Sequence, residues 1–86
     1  MKVKDGFVIR SIAGNCIVVP VGARVVNFRG IMNLNETGAF IFEQMKDEIS
    51  YEDLLQRLLE EYEADEEVIH KDLDEFLNNA EVLGII

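Results

Sequence analysis

Three kinds of side chain in this 86-residue sequence could do chemistry: one thiol, one imidazole and seventeen carboxylates. A thiol beside an imidazole is a nucleophile with its base, and both groups can ligate a metal. Cys16 and His70 are each the sole residue of their type, so a metal site would need carboxylates to complete it, and the spacing of zinc motifs is absent. Cys16 opens a β-branched run and reads as a small apolar filler. His70 follows Ile69 and precedes Lys71, which reads as an exposed helix position. The acids recur at i, i+1 and i+4 on outward faces, whereas a catalytic carboxylate needs burial to shift its pKa. Gly30 and Gly38 belong to neither GxxxxGK[ST] nor GxGxxG, so no phosphate loop is present. No catalytic, cofactor-binding or metal-ligating residue is assigned, and the chain reads as a non-enzyme.

The elements that would position any site come from pattern. Glycine and proline are scarce and 49% of residues are hydrophobic, which predicts one α+β domain over residues 1–86 with no linker. "FVIRSI" (7–12) and "CIVVPV" (16–21) flank the turn signal "GN" at 14–15 and predict a hairpin. Pro20 cannot donate a ladder hydrogen bond and marks an edge, a bulge or a strand end. "GARVVNFRG" (22–30) reads as an irregular connection, and "GIMNL" (30–34) as a third short strand.

From Asn35 the hydrophobic period changes from 2 to 3.6. Asn35 caps a first helix with Ile41, Phe42 and Met45 on its inner face, running to about Lys46 or Asp47. Phe40 falls off that face and is free to pack under the sheet. Ser50 caps a second helix whose stripe is Tyr51, Leu54, Leu55, Leu58, Leu59 and Tyr62. Asp65 caps a third, on which Ile69, Leu73, Phe76, Ala80 and Leu83 recur every four and three residues until Gly84 closes it. The prediction is three short N-terminal β-strands followed by three α-helices, in a winged helix-turn-helix-like arrangement.

Charge narrows the partners. Residues 1–30 carry five cations against Asp5, and residues 31–86 carry sixteen acids against Lys46, Arg57 and Lys71. The third helix holds Asp65, Glu66, Glu67, Asp72, Asp74, Glu75 and Glu81 against Lys71. Nucleic-acid affinity comes largely from cations on phosphates, and the N-terminal turn that would make base contacts is the most acidic part. Nucleic acid and an anionic membrane are therefore not expected as partners of the helical half, and only the basic N-terminal strands leave weak backbone contact as a minor alternative. The N-terminus "MKVKDGFVIR" does not read as a signal peptide, and a single cysteine fits a reducing cytoplasm. What remains is the joint at 30–38: a short edge strand exposes unpaired N–H and C=O groups that can accept an extended peptide by strand addition, although the residues alone favour an edge that is merely short and harmless.

"GFVIRSIAGNCIVVPVG", "LNETGAFIFEQM", "SYEDLLQRLLEEYEAD" and "VIHKDLDEFLNNAEVLGII", in this order, resemble the PqqD family along nearly the whole chain. "LNETGA" (34–39) opening a helix is the most specific element, and "EEY" with a following acid and the Gly-Ile-Ile ending support it. The resemblance implies a non-catalytic domain that recognises the leader of a ribosomally made, post-translationally modified peptide. The leader adds to the third strand, lies against the third helix, and is presented to a modifying enzyme, often a radical S-adenosylmethionine protein. Carried onto this chain, the peptide-binding residues are Gly30, Ile31, Met32, Asn33 and Leu34 of the strand, and Val68, Asp72, Leu73 and Phe76 of the helix. Leu34 anchors the strand, Asn35 caps the helix and Gly38 permits close approach. Two other classes compete: a winged-helix nucleic-acid or regulatory module, and a scaffolding subunit of a larger enzyme. The same edge also permits a homodimer.

Overall fold

The computed structural model describes residues 1–22, Val25 and 32–86. Two strands, β1 (Phe7–Ile12) and β2 (Asn15–Pro20), form an antiparallel hairpin. The turn is Ala13–Gly14, with φ of 51° and 82°, the two positive values that match a tight hairpin to strand twist. It lies one residue earlier than the expected Gly14–Asn15. The register explains the difference, because it pairs Ile9 with Val18 and Phe7 with Pro20. A one-residue slip would turn one strand's apolar set to the other face. Pro20 ends β2, where its missing N–H costs least.

Strand β3 (Met32–Leu34) pairs antiparallel with β2 through Val18–Met32 and Cys16–Leu34, giving the order β1-β2-β3. Among the described residues no strand lies on the far side of β3. Of the expected strand at 30–34, Gly30 and Ile31 lie outside the described residues, as does most of the connection at 22–30.

Three helices follow: α1 (Glu36–Gln44), α2 (Tyr51–Glu61) and α3 (Glu66–Val82). Among the described residues the architecture is α+β, three antiparallel strands and then three helices, as expected. Asn35 and Ser50 cap α1 and α2 with their side chains. Asp65 stands at the cap position of α3 but makes no side-chain cap bond. It still places a carboxylate at the positive end of the helix dipole. At the other end Gly84 has φ 75°, Gly84 N–H donates to Glu81 O (3.1 Å) and Ile85 N–H to Ala80 O (2.8 Å). This is the Schellman closure, and it turns Ile85 into the core.

The core joins Val18 and Met32 of the sheet to Ile41, Phe42, Met45, Leu54, Leu58, Ile69, Leu73, Phe76 and Ala80. The N-terminal segment fastens the helix ends together. Val3 N–H donates to Met45 O (2.9 Å), Lys4 N–H to Ile85 O (2.8 Å), and Ile49 N–H to Met1 O (3.0 Å). None of these bonds reaches β3. No helix among the described residues is long and apolar enough to cross a membrane.

Candidate functional site

The strand-to-helix joint is built from adjacent residues with separate tasks. Met32 is 6% exposed and faces the core, Asn33 faces outward, and Leu34 is half-buried at the strand's end. The next residue, Asn35, accepts the Gly38 N–H on its side-chain oxygen at 2.7 Å. That bond satisfies one of the orphan donors of the first helical turn and turns the chain sharply. Gly38 is buried, and a Cβ there would lie 3.2 Å from Leu34 Cδ2 and 3.3 Å from Asn35 Oδ1. Helix and strand approach this closely because the position is glycine.

Opposite stands α3. Its buried stripe is Ile69, Leu73, Phe76 and Ala80. One position towards the N-terminus of each lies a flank of Val68, Asp72, Glu75 and Asn79, which share a line by the i, i+4, i+7 rule. Between this flank and the joint runs a trough of about 100 Å³. Leu34, Asn35, Thr37 and Gly38 form one wall, and Asp72, Glu75, Phe76 and Asn79 the other.

Three of the residues expected from sequence meet there: Leu34, Asp72 and Phe76. Met32 and Asn33 lie on the adjoining strand, Met32 with its side chain inward. Val68 is 49% exposed one turn before Asp72 and continues the same flank. Leu73 is fully buried. The helix turn carries it behind the wall, so its side chain offers the trough no surface. Gly30 and Ile31 lie outside the described residues. Asn35, Thr37, Gly38, Glu75 and Asn79 were not expected to line it. The signal was present in the spacing 68, 72, 75 and 79, and in a glycine three residues into a capped helix.

Electrostatically the trough is acidic. Asp72 is half-buried, Glu75 is exposed, and none of the described lining residues is cationic. Other acids nearby are engaged. Asp74 accepts the Tyr51 hydroxyl at 2.6 Å, and Glu66 lies 3.6 Å from His70 Nε2. The hydrogen bond to Asp74, burial and that carboxylate's charge push the Tyr51 hydroxyl up to about 12. Burial and the charges of Glu36 and Glu61 also raise the Tyr62 hydroxyl.

His70 and Cys16 occupy structural places. His70 is half-buried rather than exposed: its ring stacks on Tyr51 with centroids 6.0 Å apart, and Nδ1 lies 3.0 Å from the Tyr51 oxygen. Cys16 sits half-buried in β2 opposite Leu34. Phe40 packs edge-on against Tyr62 at the end of α2, with centroids 5.7 Å apart, and against the core.

Residues 21–86 match the family model described as "Coenzyme PQQ synthesis protein D (PqqD)". No curated protein sequence matches the chain. Among solved structures, the fold is similar to one described as "TbiB1 in Complex with the TbiA(beta) Leader Peptide". The TM-score is 0.71 at 19% identity, over 99% of this chain and 93% of that one.

Proposed function

The chain belongs to the PqqD family, and from that premise we propose that it is a non-catalytic peptide-binding adaptor. The leader segment of a ribosomally made precursor pairs with β3, rests against α3, and is presented to a separate modifying enzyme. That enzyme is of the radical S-adenosylmethionine type or another peptide-modifying class, and the complex works in the cytoplasm. The carrying observation is the edge of β3, with no strand beyond it among the described residues, next to a trough walled by α3. A free edge supplies main-chain affinity and the trough supplies a side-chain pocket, the two parts strand addition needs. The likeness to TbiB1, whose structure was solved with a leader peptide, supports the same reading. A non-catalytic role is supported by His70 stacking on and contacting Tyr51, and by Cys16 lying in the sheet opposite Leu34.

The test is an amide-shift titration of the isotope-labelled chain with peptides selected on it from a displayed random library. Shifts centred on residues 32–34 and 72–79 are expected. Shifts spread over α1 and α2 would favour a scaffolding subunit. Tight, salt-sensitive DNA binding would favour a nucleic-acid module. Shifts at β3 that appear on concentration alone would mean that a second copy takes the edge.

A further inference from the structure

We infer that the bound peptide places a lysine or arginine side chain in the trough, and that Asp72 and Glu75 select it. The inference rests on the strand-addition reading and adds the chemistry of the recognised side chain. Leu34 is both the last residue of β3 and part of the trough wall. A strand added along β3 sends alternate side chains towards each face, so one of them enters beside Leu34. The volume of about 100 Å³ suits a side chain rather than a length of backbone.

The lining defines which side chain. Leu34, Gly38 and Phe76 are apolar, Asn35, Thr37 and Asn79 are neutral, and among the described lining residues Asp72 and Glu75 carry the only charges. Two neighbouring acids are taken up within the fold: Asp74 accepts the Tyr51 hydroxyl and Glu43 pairs with Lys46. No described hydrogen bond or ion pair engages Asp72 or Glu75. An incoming lysine or arginine can form a charge-assisted hydrogen bond with either carboxylate. Lysine and arginine also lay an aliphatic stem along apolar surface while the head reaches a charge, which matches Phe76 beside Asp72. An aspartate or glutamate in the peptide would meet two like charges, so the wall rejects as well as attracts.

The experiment uses peptides selected on the whole chain from a displayed random library, then synthesised. Peptides that move the amides of residues 32–34 are expected to carry lysine or arginine at one fixed position. Exchanging that residue for norleucine should weaken binding about tenfold, and raising the salt should erode the difference. In the Asp72→Asn/Glu75→Gln chain the exchange should matter little. Peptides that move 32–34 without a cationic preference, or whose preference survives the double substitution, overturn the inference and leave strand addition standing. Selection that yields no peptide acting on 32–34 overturns both. If the double variant does not fold, the norleucine exchange and salt series on the unaltered chain decide.

Discussion

The side-chain oxygen of Asn35 holds the amide of Gly38 at 2.7 Å, and this one bond fixes the angle at which β3 becomes α1. Both residues line the trough, so the helix cap and the wall of the candidate site are the same atoms. Replacing Asn35 by alanine removes the acceptor and should cost about 1 kcal/mol of stability. Aspartate, which keeps an oxygen in place, should restore most of it. Urea unfolding of the two variants measures the difference. Peptide affinity should fall for alanine beyond what the lost stability explains, because the wall loosens.

Gly38→Ala separates fold from site. Alanine is the better helix former by up to about 1 kcal/mol. Its Cβ, however, would meet Leu34 Cδ2 at 3.2 Å and Asn35 Oδ1 at 3.3 Å. The Leu34 side chain can give by a few tenths of an ångström, so stability should stay within about 1 kcal/mol of the parent. The movement goes into the trough, so peptide binding should weaken at nearly unchanged Tm. Calorimetric unfolding and a binding isotherm on the same variant check both halves.

Legibility in the sequence followed the strength of the physical pattern. The α3 stripe Ile69, Leu73, Phe76 and Ala80 is buried throughout, because an amphipathic helix has only one stable way to face a core. Asn35 and Ser50 were readable as caps because short polar side chains before an apolar period have few other uses. The hairpin turn was displaced by one residue, since Ala13 at φ 51° is not the residue type that announces a left-handed turn. The site was half legible. Asp72 and Phe76 follow from the helix facing the strand. Leu73 was indistinguishable from them in sequence, because the rotation of a helix about its axis is set by tertiary packing. Asn35 and Gly38 were understood as architecture, and their second task as trough wall needs α3 in view. His70 looked exposed because its partner Tyr51 lies on another helix.

Neighbouring positions 72 and 73 should therefore respond oppositely. Leu73→Ala empties a fully buried site and should cost about 2–5 kcal/mol, a large share of the total for a small domain. Asp72→Asn keeps volume and removes a charge that has no described partner. It should change stability by less than about 0.5 kcal/mol while altering peptide selectivity. Denaturant midpoints for the pair, with binding measured only on Asp72→Asn, test the assignment of one residue to core and the other to wall.

The contact between Tyr51 and Asp74 gives a pH signature. The hydroxyl donates to the carboxylate at 2.6 Å and is pushed up to about 12 by that bond, by burial and by the same charge. In the unfolded chain tyrosine ionises near 10. The folded state therefore binds more protons between those values. The group's contribution to stability is fully present below pH about 10 and is lost as the pH rises towards about 12. Tyr62 is raised as well, so the measurement belongs in a Tyr62→Phe background, which keeps the ring against Phe40. Ultraviolet absorbance titration of that chain should show phenolate formation well above the ordinary range. Adding Asp74→Asn should move it back towards 10, because the asparagine carries no charge to oppose the phenolate. An unshifted titration in the Tyr62→Phe chain would mean that the hydroxyl does not hold Asp74 in solution. The α2–α3 contact would then rest on the buried packing of Leu54 and Leu58 against the α3 stripe and on Tyr51 against His70.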